Sequence, residues 1–369
     1  MRVIFPFAGD SIGGSQISSI NIYKNLVDKK IDTFFVIHKK GNFKDYLDNY
    51  KIRYKFLPIK NLAGENPSKF KILIRILLNF YKIYRFILKN KIDIIHCNTL
   101  STNLTWSIPV IISKKKIIWH QRQPLSKSFF WGFVKYLSNI VIANSQYVMS
   151  TLPSNIKKKK LIYNSFYNFN FISKKNGKEY LYKKYNISND QILIGFVGRL
   201  EESKDILYTL NAINNLNKIK NIHFIFIGQQ KKDYQFKIDN FIKKKSINNI
   251  ITVANFDSNN LQIIAGLDVF ISSSKNEAFG RSIVESMLLK TLVICSNNGS
   301  HKELIDNKET GYLFNKDNIN NLTDLIMHVS TSPKNNNHLI EKAYRNAKKK
   351  FCRYDSNNLI IDIYKKLLI

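Results

Sequence analysis

Eleven short runs rich in Ile, Val and Phe punctuate this chain, and most are apolar from end to end. RVIFPFA, DTFFVIH, IDIIHCN, KKIIWH and IVIAN occur in the first half; ILIGFVG, IHFIFIG, NIITVA, LDVFISSS, TLVICS and GYLF follow in the second. A strand with one face in water alternates apolar and polar residues, whereas a strand apolar throughout is covered on both faces, as in parallel sheets. Helical patterns separate the runs, which makes them βαβ units. The series stops and restarts at ILIGFVG. The expected fold class is therefore α/β, with two doubly wound parallel-sheet (Rossmann-like) domains in tandem.

Length agrees, since 369 residues is about twice a common domain size. A hydrophobic share of 44% supplies two cores and excludes a chain disordered along its length. Residues 165–190 carry Ser, Asn, Gly and charge without sustained periodicity, which puts the boundary there. Residues 1–172 form the first domain, 173–190 a linker and 191–350 the second domain in this reading. Residues 336–369 read as one or two helices, with Leu359, Ile360, Ile363, Leu367 and Leu368 on one face. Cys97, Cys295 and Cys352 are far apart and form no CxxC pair, which excludes a disulfide framework or zinc site and suits a reducing compartment. The N-terminus turns polar too early for a secretory signal, and no run of ~18 uncharged apolar residues could span a membrane. A cytoplasmic protein is expected.

The 58 basic and 26 acidic residues give a net charge of +32. Abundant Lys, Asn, Ile, Phe and Tyr beside nine Ala suggest AT-rich codon usage, so part of this charge is compositional. A field of this size still draws anionic partners: nucleic acid, an anionic membrane surface or phosphorylated substrates. Nucleic acid is disfavoured, because the chain has no helix-turn-helix, zinc or RNP-like motif and its basic residues are spread out. Residues 69–90 concentrate the charge on an amphipathic helix. Ile72, Leu73, Ile76, Leu77, Phe80, Ile83, Tyr84, Ile87 and Leu88 fall on one side, and Lys71, Arg75, Lys82, Arg85 and Lys89 on the other. The apolar side is expected to pack on the sheet. The basic side is then either a solvated stripe or a peripheral docking face for an anionic inner leaflet.

Four segments can carry chemistry. GDSIGGS joins the first strand to a helix; Gly13 and Gly14 would allow the turn and the close approach of a phosphate to the helix N-terminus, or merely make a tight turn. Its spacing is not GxGxxG, which argues against a nicotinamide cofactor. FVGRLEESKD places Arg199 and Lys204 just past the end of a parallel strand, where open α/β sheets bind ligands. A guanidinium fork and a mobile ammonium suit a diphosphate, although surface charges are a common alternative. SSSKNEAFGRSIVESMLLK spaces Glu277 and Glu285 eight residues apart. The first falls in a loop and the second on a helix starting near Phe279, and such carboxylates can accept from vicinal sugar hydroxyls. NNGSHKELIDNKETGYLF adds a loop, a short helix with Glu303 and a turn at Gly311.

The order of these motifs, GRLxxxK, then DVFISSSxxEAFGxSIVEsM, then GxxxELIxxxxxGYL, resembles the retaining glycosyltransferases of the GT-B fold, family 4. The likeness is dense from Gly195 to Phe314 and sparser before, where a GG ahead of a helix, IDIIHCN and WHQRQP keep the expected order. It implies an acceptor-side first domain and a nucleotide-sugar donor domain facing a cleft, with residues 351–369 as a helix returning to the first domain. By position, it implies that Gly13 and Gly14 face the donor phosphates and the acceptor. Arg199 and Lys204 would hold the diphosphate, and Glu277, with backbone from Ala278, Phe279 and Gly280, the donor sugar. Glu285 would bind the ribose, and His120 would line the donor sugar unless it is a structural strand-end histidine. Lys290, Leu292, Ser300 and Ser165 depart from the family's small-residue turns.

The reaction implied is transfer of a hexose-type sugar, with retention, from a UDP- or GDP-type donor to a glycan or polyprenyl-linked acceptor in bacterial surface polysaccharide synthesis, including lipopolysaccharide. No DxD occurs, so cationic side chains are expected to replace a metal, and no cofactor is called for. Alternatives are a GT-B nucleotide-sugar epimerase and, in a different class, a basic nucleic-acid-binding protein.

Overall fold

The structure, a computed structural model, describes residues 1–10, 12–59, 69–125, 137–216, 221–331, 333–352 and 355–369. It divides into two compact units, Met1–Tyr167 with Arg353–Ile369, and Asn168–Cys352.

The first unit holds strands β1 (Arg2–Phe7), β2 (Asp32–Ile37), β3 (Tyr54–Phe56), β4 (Ile94–Cys97), β5 (Lys116–Gln121), β6 (Ile140–Ala143) and β7 (Lys159–Leu161). They form one parallel sheet in the order β3-β2-β1-β4-β5-β6-β7. Its two faces explain the apolar runs. Val3, Phe5 and Phe7 point to one side, into a core shared with Ile20, Tyr23 and Leu26 of the helix Gly14–Asp28 and with the C-terminal helix Asp355–Leu368. Ile4, Val36 and Ile95 point to the other side, against Ile83, Ile87, Trp106 and Val110.

The second unit holds β8 (Ile192–Val197), β9 (Ile222–Ile227), β10 (Ile251–Ala254), β11 (Val269–Ser272), β12 (Leu292–Ser296) and β13 (Tyr312–Phe314). Its parallel order is β10-β9-β8-β11-β12-β13. In each sheet the strand order reverses once, between β1 and β4 and between β8 and β11, and the strand C-termini at such a switch leave a crevice.

All eleven apolar runs are strands. The two further strands, β3 and β7, lie at the edges of the first sheet and are mostly exposed, so they lack a double-faced apolar pattern. Residues 173–190, expected to be a linker, contain the helix Lys174–Tyr185, capped by Ser173 at one end and by left-handed Asn186 at the other. This helix packs backbone to backbone on Asn260–Gly266: a Cβ on Gly177 would lie 2.3 Å from the Gly266 nitrogen. It buries only Gly177 and Leu181, so its sequence has no apolar stripe.

The C-terminal helix buries Ile360, Ile361, Ile363 and Tyr364 in the first unit's core, whereas Leu359 and Leu368, expected on that face, are exposed. The helix Lys69–Lys89 also differs from expectation. Ile83 and Ile87 are buried, but Leu77 is 63% exposed, and Leu78, Tyr81 and Leu88 are exposed as well. Its outer face is mixed, with apolar side chains among Lys82, Arg85 and Lys89. The side chains of Lys71, Ile72, Leu73 and Ile76 lie outside the described residues. Among the described residues no helix is long and apolar enough to cross a membrane.

Candidate active site

Beyond the C-terminal ends of β8 and β11, charge is concentrated in a mostly buried setting. Lys204, in a short 3-10 turn after β8, places its ammonium 2.5 Å from Glu277 Oε2. The Ser274 hydroxyl donates to the same oxygen at 3.0 Å. Burial alone would raise the Glu277 carboxyl; the Lys204 charge, the nearby His301 and these hydrogen bonds overcome it and hold the group at about 2. Glu277 is therefore a fixed anion that can only accept hydrogen bonds.

The loop carrying Glu277 is held from behind. Gly299, at φ +60, passes so close that a Cβ would lie 2.5 Å from the Glu277 carbonyl oxygen, and the Ser300 amide donates to that oxygen at 3.0 Å. Gly280, also left-handed at φ +81, caps the helix Arg281–Leu288. The Phe279 ring turns into the core, edge-on to Phe351 with centroids 5.7 Å apart, so this residue has only its backbone to offer a ligand.

The Lys204 turn is held by a largely covered lysine that the motifs did not single out. Lys316 Nζ lies 2.5 Å from Asp205 Oδ2 and donates to the Ser273 carbonyl at 2.8 Å. Ser273 Oγ in turn donates to the backbone carbonyls of Lys204 and Asp205 at 3.1 and 2.7 Å. The three successive serines at the end of β11 were the legible signal here; Lys316 lies 111 residues from Asp205 and only the fold unites them.

Arg199 and Glu285 do not join the Lys204–Glu277 pair by any recorded contact. Arg199 is half exposed and bonded to Glu201 at 3.0 Å. Glu285, on the helix after Gly280, pairs with Arg281 at 3.0 Å. Burial raises its carboxyl, and Arg281 offsets only part of that rise. His301, absent from the expectations, is fully buried, donates from Nδ1 to the Ser296 carbonyl at 2.8 Å, and is kept low by burial.

The remaining expected residues belong to the first unit. Gly13 and Gly14 open the helix Gly14–Asp28. Gly13 is extended (φ −155), so the expected need for unusual backbone angles is not met; it contributes open space, the nearest atom to a Cβ being Gln16 Oε1 at 3.4 Å. One turn on, Ser19 Oγ donates to Asn98 Oδ1 at 2.8 Å. Asn98 also accepts from Arg122 Nε at 2.9 Å, and Arg122 Nη1 donates to Asn164 Oδ1 at 2.6 Å. The third guanidinium nitrogen lies 3.2 Å from His120 Nδ1. Thus Ser19, Asn98, His120, Arg122 and Asn164 form one buried polar cluster past β4 and β5. Only His120 was expected among them. Burial first, then the Arg122 charge, keeps His120 and His96 neutral. Among the described residues no group of three His, Cys, Asp or Glu could hold a metal ion.

Comparisons with known proteins agree with this architecture. The sequence profile of glycosyl transferases group 1 matches residues 178–346, and that of glycosyltransferase family 4 matches residues 12–165. The chain is 26% identical over 360 residues to the O-antigen biosynthesis glycosyltransferase WclY of Escherichia coli, covering 93% of this chain and 92% of WclY. It is 23% identical over 313 residues to the capsular polysaccharide biosynthesis glycosyltransferase CapH of Staphylococcus aureus, covering 82% and 83%. The crystal structure of Anabaena HepE in complex with UDP-glucose superposes with a TM-score of 0.86 at 20% identity, covering 99% of this chain and 100% of that one. With both profiles in chain order on two parallel-sheet units, the chain belongs to the GT-B glycosyl transferases of group 1, family 4, and is a retaining glycosyltransferase.

Proposed function

We propose that this enzyme moves a hexose from a nucleotide diphosphate sugar, with UDP-sugars the first candidates, to a glycan or lipid-linked acceptor in bacterial surface polysaccharide assembly. The observation that carries the reading is the Lys204–Glu277 pair, a cation and an anion held mostly out of water at the β8/β11 switch point. Departure of a nucleoside diphosphate builds negative charge on the leaving oxygen. A preorganised ammonium in a low-dielectric site stabilises that charge as it forms. Lys204 takes this role, with Arg199 reaching the diphosphate from its exposed position.

Glu277, ionised and oriented by Ser274, accepts hydrogen bonds from donor sugar hydroxyls, with the Ala278–Gly280 backbone alongside. Glu285 accepts from the ribose, and Gly13 and Gly14 give the phosphates and the acceptor room to approach. His120 lines the sugar. Glu277 is already engaged on one oxygen, which suits hydroxyl binding better than nucleophilic attack. Retention then proceeds by a front-face route, in which the acceptor enters on the side the diphosphate leaves. A hydrolysis screen with UDP-, GDP- and ADP-sugars, followed by mass spectrometry of glycosylated acceptors, tests this reading. Release of free sugar isomers without acceptor, or no turnover of any nucleotide sugar, overturns it.

The similarity to O-antigen and capsule enzymes supports an acceptor of that class. The outer face of Lys69–Lys89 supports docking on an anionic membrane: Leu77, Leu78, Tyr81 and Leu88 can enter the interface while Arg85 and Lys89 meet headgroups. Each basic residue near such a surface contributes about 1 kcal/mol. Sedimentation with phosphatidylglycerol vesicles at low salt should therefore fall at least tenfold for Leu77→Ser/Leu78→Ser/Arg85→Gln. No binding by the wild type, or equal binding by both, removes the membrane from the proposal.

A further inference from the structure

The buried cluster of the first unit fixes a proton position that the sequence does not reveal. Arg122 Nη2 lies 3.2 Å from His120 Nδ1, and a guanidinium only donates. His120 Nδ1 is therefore the acceptor, and the proton of this neutral ring sits on Nε2. His96 Nε2 lies 3.1 Å from the same Nδ1, so it too must donate. That leaves His96 Nδ1 as an acceptor, and the Tyr364 hydroxyl stands 2.6 Å from it as the donor. The chain runs from Tyr364 O–H to His96 Nδ1 and from His96 Nε2–H to His120 Nδ1, whose one lone pair is shared between His96 and Arg122. The direction is set by Arg122, which can only donate; the Tyr364 hydroxyl, which can donate or accept, takes the donor role that remains. All four residues are buried, and Tyr364 comes from the C-terminal helix, 268 residues from His96.

The chain ends on an unsatisfied group. His120 Nε2 is buried and has no hydrogen-bond partner among the described residues. A buried donor left unpaired is costly, and a ligand oxygen that accepts from it recovers that cost.

We propose that His96 and Tyr364 are positioning residues that, together with Arg122, hold His120 as an obligate Nε2–H donor, so that the site selects a sugar presenting an oxygen lone pair there and disfavours one with hydrogen or methyl at that position. The proposal rests on the transferase reading for the identity of the ligand, but not for the tautomer. The protein places Nε2–H before any ligand arrives, and selectivity follows from leaving a buried donor orphaned when the wrong sugar binds.

Two measurements test this. In the full chain labelled with 15N-histidine, long-range 1H–15N spectra should show both His96 and His120 in the Nε2–H form without ligand. His120 in the Nδ1–H form overturns the inference and leaves the transferase reading untouched. The second measurement uses UDP-glucose and its monodeoxy and monodeoxyfluoro analogues as probes, read by donor hydrolysis. Wild type should lose about tenfold or more in kcat/KM at one hydroxyl, with fluorine intermediate because it accepts weakly. That loss should shrink below about twofold in His120→Ala.

The variant His96→Gln keeps a side-chain donor, whereas His96→Phe does not. Gln should retain the discrimination, while Phe loses it through a ring no longer held in place, even though Arg122 still keeps His120 in the Nε2–H form, with melting temperatures recorded for each. Tyr364→Phe should lower kcat/KM for UDP-glucose by about tenfold without changing the Kd for UDP. Equal behaviour of the Gln and Phe variants overturns the positioning role. If UDP-glucose is not turned over at all, the donor assignment fails while the tautomer spectra still decide this inference.

Discussion

The two units hold their candidate site residues by opposite electrostatic means. Past β8 and β11, the second unit pairs full charges: Lys204 with Glu277, Lys316 with Asp205, Arg281 with Glu285. At the C-terminal ends of β4 and β5, the first unit surrounds a single guanidinium with neutral amides and imidazoles: Asn98, Asn164, His120 and His96. Ion pairs answer a ligand whose charge changes during reaction, since their fields act where new charge appears. Neutral directional groups answer a ligand whose hydroxyls must be told apart.

The sharpest way to break this contrast is to remove the cation. Lys204→Ala should lower kcat by about 10²–10³-fold, the usual loss for one preorganised contact to a developing charge. It also strands a buried carboxylate and should destabilise the second unit by about 3 kcal/mol or more. Lys204→Ala/Glu277→Gln removes that stranded charge, so thermal unfolding should recover most of the stability while turnover stays low. Recovery of turnover together with stability would reduce the pair to a structural ion pair.

Acid acts on both units through downward shifts, and the pH window tells the imidazoles from the carboxylate. In the first unit His38, held at about 4, and His96 and His120, held well below their ordinary value, stay neutral when folded. The unfolded chain binds their protons near pH 6.5, so stability falls as pH drops below about 6.5, by about 1.4 kcal/mol per pH unit for each group. In the second unit burial lowers His301 and His223 as well, and Glu277 is lowered from a carboxylate's ordinary value. Its contribution is complete above about pH 4.5 and is lost as pH falls toward about 2. Trp106, Trp119 and Trp131 all lie in the first unit's sequence, so tryptophan fluorescence reports that unit alone. Urea midpoints read this way should decline steadily from pH 6.5 to 5. A flat profile there would mean the imidazoles are accessible to protons.

Smaller effects sharpen the comparison within the second unit. Arg199 is half exposed and already engaged by Glu201. Arg199→Ala should cost about tenfold in kcat/KM, less than Lys204→Ala, with little change in melting temperature. An equal or larger loss would move the main diphosphate contact from Lys204 to Arg199. EDTA should change the rate by less than about twofold, because cationic side chains take the place of a metal clamp; loss of activity restored by Mg²⁺ or Mn²⁺ would refute that.

The parallel sheets were legible in the sequence because burial on both faces leaves a local mark, an unbroken apolar run. Val3, Ile4 and Phe5 record it directly, since they point alternately into two cores. The strand-end residues Lys204 and Glu277 were legible for a related reason: strand, turn and helix fix where the following residues stand. Edge strands β3 and β7 left no such mark, and neither did the helix Lys174–Tyr185, which packs through glycine rather than through a stripe. The exposed Leu77 and Leu88 also show that helical periodicity divides a helix into faces without saying how much of the wider face is covered.

By itself, then, the sequence determined the strand series, the division into two sheets and the motif residues at the strand ends. Each of these depends on neighbours within a few turns of chain. Tertiary structure alone decided which of those residues meet, and in what protonation state. Lys316 reaches the Lys204 turn from 111 residues away, and Tyr364 reaches His96 across 268. A side chain's charge, tautomer and partner depend on the atoms packed around it. Those atoms come from segments whose meeting is settled only when the whole unit buries its core.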